Sequence, residues 1–115
     1  INDCIKIFDN NRFLNQIPKI ELIKGDANKT IPKFINSNKH ILISLLYLDF
    51  DIYQPTKKAL KYFINIMSKN SIIAFDQVNN PDWPGETQAL LSSLNLNNYD
   101  LKTFPFEPNI SYLTL

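Results

Sequence analysis

Hydrophobic positions along the chain fall into two kinds of spacing, one helical and one strand-like. Over residues 2–9, Cys4, Ile5 and Phe8 share one helical face and predict the end of a helix. Ile20 to Ile23 reads as a short strand closed by Lys24-Gly25-Asp26. Thr30 can cap a short helix, with Pro32 tolerated in its first turn and Phe34 and Ile35 facing inward. Ile41 to Leu48 is nearly all apolar, the mark of a strand covered on both faces in a parallel sheet. Gln54-Pro55-Thr56 then starts a helix in which Ala59, Leu60, Phe63, Ile66 and Met67 recur on one side. Ser71 to Phe75 is a second buried strand, and Pro84-Gly85-Glu86 opens a helix carrying Ala89, Leu90 and Leu94. The tail predicts two strands, Leu101 to Phe106 and Ser111 to Leu115, joined by Glu107-Pro108-Asn109.

Strands alternating with helices in this way make βαβ units, whose crossovers bring the strands parallel. The final hairpin adds an antiparallel edge. The fold class is therefore α/β: parallel strands ending in an antiparallel hairpin. The 115 residues amount to one domain or part of one, with no internal repeat or linker.

Composition sharpens this picture mainly by exclusion. The chain has two glycines, Gly25 and Gly85, so no glycine-rich phosphate or dinucleotide loop can be written in it. Net charge is +1 with no block of like charge, which disfavours nucleic acid or an anionic membrane as a partner. The nearly apolar stretch at residues 41–48 falls far short of the roughly 20 residues needed to cross a bilayer. Cys4 stands alone, so no disulfide framework or thiolate zinc site is available, and a reducing, cytoplasmic setting fits best.

The candidate chemistry lies at strand ends. In open parallel sheets ligands bind outside the carboxyl ends of the strands. Each predicted parallel strand delivers an aspartate there: Asp26, Asp49 and Asp76, with Asp51 and Gln77 close behind. Three carboxylates converging on one crevice resist ionisation unless a cation sits among them, and oxygen ligands suit Mg²⁺. Aspartate also favours turns and helix N-caps, which occur at these same places, so each one alone reads as structural.

Leu48-Asp49-Phe50-Asp51-Ile52-Tyr53-Gln54-Pro55-Thr56, Ile73-Ala74-Phe75-Asp76-Gln77 and Trp83-Pro84-Gly85-Glu86-Thr87 together resemble the macrocin-type sugar O-methyltransferases. Ile20 to Ala27, followed by Thr30-Ile31-Pro32, is similar to the segment near the adenine in that family. The resemblance implies a Rossmann-like class I fold, with S-adenosylmethionine and Mg²⁺ as cofactors and a sugar hydroxyl as acceptor. It implies Asp49 as metal ligand and base, Asp76 as second ligand and Gln77 at a third ligand position where the family usually has Asp. Asp26 would then bond the adenine amine, with Ala27 and Asn28 lining the base. The match corresponds to the C-terminal half of the family's catalytic domain. The expectation is a partial domain over residues 1–115, lacking the half that carries the glycine loop and inactive alone.

Other residues carry blander expectations. Asp51 reads as a cap or outer partner of the site, Glu86 as a charge suited to a helix N-terminus, and His40 as a surface residue. Cys4 reads as a buried apolar filler. Trp83 either walls a substrate pocket or packs on the sheet, and Lys57, Lys58 and Lys61 form a solvated helix face. A phosphorylated receiver domain also gathers aspartates around Mg²⁺, but its acidic pair belongs after the first strand and its lysine after the fifth. A non-catalytic α/β scaffold, or a degenerate relative, is the alternative that Gln77 and the missing glycine loop favour. An exposed sheet edge would encourage a homodimer.

Overall fold

A computed structural model describes residues 1–115. Four helices and four strands follow along the chain in the order α1 (Asn2–Asn10), α2 (Ala27–Ser37), β1 (Ile43–Leu48), α3 (Tyr53–Phe63), β2 (Met67–Phe75), α4 (Gly85–Ser93), β3 (Lys102–Phe104) and β4 (Glu107–Thr114). The sheet order is β1-β2-β4-β3. β1 and β2 are parallel, while β4 runs antiparallel to both β2 and β3. The α/β class and the antiparallel finish follow the hydrophobic pattern; the parallel part is one strand pair.

One face of this sheet holds the core. Leu46 and Leu48 of β1, Ile73 and Phe75 of β2 and Leu113 of β4 form a buried cluster with Ala59, Leu60, Ala89 and Leu90. Those last four come from α3 and α4, which pack on each other, with α2 against α3. Removing about ten such side chains from water is the main stabilising term for a sheet of this size. A bulge interrupts the β1–β2 ladder between Ile43 and Leu45. There the buried Ser71 hydroxyl donates to the Ile43 carbonyl at 3.0 Å, so the irregularity leaves that acceptor satisfied.

The opposite face is open. Leu45 is 60% and Tyr47 49% exposed, and with Ile72, Ala74, Phe104, Ile110 and Tyr112 they line an apolar groove of about 420 Å³. This corrects the expectation that β1 is covered on both faces. The run from Ile41 to Leu48 is apolar enough for two covered faces, yet within these residues helices cover only one.

Several other expectations change. Ile20–Ile23 forms no strand, because β1 is an edge of the sheet and no segment of the chain pairs with it. α1 buries nothing and Cys4 is exposed. The periodic face predicted through Met67 breaks after Phe63 into a single 3-10 turn, and Met67 already begins β2. The hairpin turns at Pro105-Phe106, which puts Glu107, Pro108 and Asn109 inside β4. Finally, α2 starts three residues before Thr30. Its N-cap is Asp26, whose Oδ1 accepts from the Asn28 N–H at 2.9 Å.

Candidate functional site

The parallel pair creates the site. Leu48 and Phe75 are register partners at the ends of β1 and β2, and the Asp76 N–H donates to the Leu48 carbonyl at 3.0 Å. Asp49 and Asp76 therefore leave the sheet side by side at its carboxyl end. Asp26 does not join them, since it caps α2, and no three His, Cys, Asp or Glu side chains converge anywhere in the chain. The expected trio is thus a pair of carboxylates with Gln77 beside it. Propensity explains the third aspartate: without a strand ahead of it, a capping residue is what remains.

The pair is asymmetric. Asp49 is exposed and makes no hydrogen bond within the chain. Asp76 is half-buried and engaged through both oxygens. Its Oδ1 accepts from the Tyr47 hydroxyl, and its Oδ2 accepts from Gln77 Nε2 at 3.3 Å. Gln77 Oε1 in turn accepts from Asn80 Nδ2 at 2.6 Å. Two carboxylates and an amide carbonyl are the donor set a hard oxygen-seeking cation takes, so the residues fit Mg²⁺ chemically. A third carboxylate is absent, and the Gln77 carbonyl is already shared with Asn80.

Tyr47 reports the local charge. Its pKa is pushed up to about 12, first by the hydrogen bond to Asp76, then by desolvation and by the charges of Asp76, Asp49 and Glu86. The proton stays on the phenol because a phenolate there would lie in the field of those negative charges. Asp76→Asn removes the largest cause, so the Tyr47 pKa is expected to fall toward the ordinary tyrosine range. An NMR titration of the Tyr47 ring checks this; a value still near 12 in the variant would show that Asp76 is not what holds it.

Sequence reading missed the residue that organises the two strand ends. Glu86, in the first turn of α4, is fully buried. Its Oε1 accepts from the backbone N–H groups of Phe50 (2.9 Å) and Asp51 (3.2 Å), and its Oε2 accepts from the N–H of Gln77 (3.0 Å). The helix-terminus role expected for it is corrected accordingly: the side chain turns away from its own helix to the loops after β1 and β2. Asp51 lies in the left-handed region at φ 59°, which aspartate tolerates better than most residues. It caps nothing, since the N-cap of α3 is Ile52 and makes no side-chain cap bond. Tyr53 ties α3 to α4 through its hydroxyl on Ser92 at 3.3 Å, with the Lys57 ammonium 5.0 Å from its ring centre. Trp83 is 51% exposed on the loop beyond Asp76, and His40 is exposed as expected.

The residues expected to line an adenine lie at the start of α2. Asp26 is exposed, with Oδ1 used in capping, while Ala27 and Asn28 are half-buried in the first turn of α2. The second carboxylate oxygen of Asp26 makes no hydrogen bond within the chain, so it remains able to accept one from an amine.

No helix is long and apolar enough to cross a membrane. No family model matches the chain, and no curated protein sequence does. Solved structures do match. An apo structure of CalS11, described as a TDP-rhamnose 3'-O-methyltransferase and an enzyme in calicheamicin biosynthesis, is 32% identical with a TM-score of 0.92. It is matched over 98% of this chain and 49% of its own. A second CalS11 structure, described as a calicheamicin methyltransferase, gives a TM-score of 0.93 at 32% identity, over 98% of this chain and 44% of its own. The chain thus spans about half the length of these relatives. Over that half, the chain is similar in both fold and sequence to a sugar O-methyltransferase, the kind of protein its motifs resemble.

Proposed function

We propose that the chain is the metal- and acceptor-binding part of an O-methyltransferase that uses S-adenosylmethionine and Mg²⁺ to methylate a sugar hydroxyl. We take it as one part of a longer catalytic domain whose cofactor glycine loop lies in the length of the relatives not matched here. The observation that carries this proposal is the pair Asp49 and Asp76 at adjacent parallel strand ends, in a chain 32% identical to CalS11 across nearly its whole length.

Asp49, Asp76 and Gln77 would hold the metal, and Asp26, Ala27 and Asn28 would line the adenine. When bound, S-adenosylmethionine supplies the methyl group and Mg²⁺ lowers the pKa of a chelated hydroxyl. The chain's own residues divide the remaining work. Asp49, free of internal hydrogen bonds, is placed to take the hydroxyl proton as the new O–C bond forms and the C–S bond breaks. Asp76, held by Tyr47 and Gln77, keeps one orientation next to it. Two metal-facing carboxylates favour an acceptor that chelates through two neighbouring oxygens, a vicinal diol, held in line with the methyl group.

The test is methyl transfer by the intact protein from S-adenosylmethionine to a panel of nucleotide-linked deoxysugars that includes TDP-rhamnose, read by product mass. Methylated product that disappears with a chelator and returns with Mg²⁺ is expected. No product from any diol-bearing sugar, together with no calorimetric binding of S-adenosylmethionine or Mg²⁺, would sink the proposal and leave a non-catalytic scaffold.

A further inference from the structure

We infer that Glu86 is a positioning residue: its buried carboxylate clamps the loop after β1 to the loop after β2 and so sets the spacing of Asp49 against Asp76 and Gln77. The spacing role rests on the metal-dependent reading of the site, while the clamp itself rests on geometry alone. Each bond Glu86 accepts lies next to a proposed ligand. Phe50 and Asp51 follow Asp49 directly, and the third donor is the backbone of Gln77, the residue after Asp76. These partners are 36, 35 and 9 residues away in the chain, so no local turn could hold them at one point.

The carboxylate is suited to this place and an amide is not. All three partners are N–H donors, and Glu86 offers an oxygen to each side. An amide has one oxygen and one NH₂ group, so Glu86→Gln must turn a donor toward either the β1 loop or the β2 loop. Fully buried behind the strand ends, Glu86 is not itself a ligand. Its bonds to the amides that follow Asp49 and Asp76 place it close behind the pair. A fixed negative charge behind two carboxylates favours a cation in front of them. Partners that orient the ligands of a metal typically change its affinity by about 10–100-fold when replaced.

Glu86→Gln in the intact protein is expected to weaken Mg²⁺ binding by at least about ten-fold, measured by calorimetry without substrates. Turnover should return at saturating Mg²⁺, a split that general destabilisation would not give. Hydrogen exchange should show lost protection at the amides of Gln77, or of Phe50 and Asp51, with the β2 core amides unchanged. Glu86→Asp keeps the charge but shortens the arm; it should show the same two losses and carries the test if the glutamine variant does not fold. Unchanged Mg²⁺ affinity together with unchanged exchange at all three amides overturns the inference. Should the wild-type protein bind no Mg²⁺, the metal reading of the site fails, and exchange at the three amides alone then decides the clamp.

Discussion

Gly85→Ala is expected to destabilise the protein by about 3 kcal/mol, the upper end for forcing an extra carbon into a packed site. A Cβ at residue 85 would lie 2.4 Å from the Asp51 carbonyl oxygen and 2.6 Å from both Ile52 Cα and the Tyr53 nitrogen. All three are backbone atoms where the turn after β1 enters α3, so none can swing aside as the end of a side chain can. The first turn of α4 would have to retreat, and Glu86, the next residue, would retreat with it. Its three backbone partners would lose a charge-assisted acceptor, a further cost where the donors are partly buried. Urea unfolding of the intact protein measures the loss. Gly25→Ala is the comparison: φ there is +142°, but the atom met is the flexible Thr30 Cγ2 at 2.9 Å, so its cost is strain of the turn and not a collision between backbones. A Gly85→Ala variant within about 0.5 kcal/mol of wild type, the range of ordinary surface changes, would show that α4 is not seated on that turn.

The same contact explains what was and was not legible in the sequence. α3 and α4, the buried strand through Ile73 and Phe75, and the aspartates at two strand ends all follow from periodicity and from where parallel sheets place ligands. These are local signals, and the residues that give them touch what their spacing says they should. Glu86 gives no such signal, because its acceptor role depends on backbone groups up to 36 residues away. The clue was its neighbour. In a chain with two glycines, one at the start of a helix marks a place where backbone passes very close, and the next side chain is the one brought to that place.

Three of the errors share a cause. The segments Ile20–Ile23 and Ile41–Leu48 have the apolar content of a strand and of a doubly covered strand, but pairing and covering are properties of neighbours. The edge of β1 has no strand paired with it, and the apolar face around Leu45 and Ile72 is open. Asp26 was misplaced for the same reason: an aspartate after a strand and an aspartate before a helix look alike until the strand fails to form. Hydrophobic pattern records what a segment can bury, and the chain that does the burying is read only from the fold.

Asp49→Asn is expected to lower kcat by about 10²–10⁴-fold, the range a positioned general base contributes. The substitution keeps the shape of the side chain and removes its charge and its basicity. Asp49 is exposed and makes no hydrogen bond within the chain, so stability should stay within about 0.5 kcal/mol of wild type. The loss then belongs to the chemistry. Asp76→Asn separates the two roles assigned to the pair, because Asp76 is held in one orientation by bonds from Tyr47 and Gln77 whereas Asp49 carries none. Its asparagine variant should weaken Mg²⁺ binding and recover much of its turnover at high metal. Asp49→Asn should stay slow at any Mg²⁺ concentration, since no amount of metal restores a missing base. Steady-state kinetics of the intact protein across a Mg²⁺ series separates the cases. Recovery of Asp49→Asn to within ten-fold of wild type would reduce Asp49 to a metal ligand, and the proton would then have to leave by way of solvent.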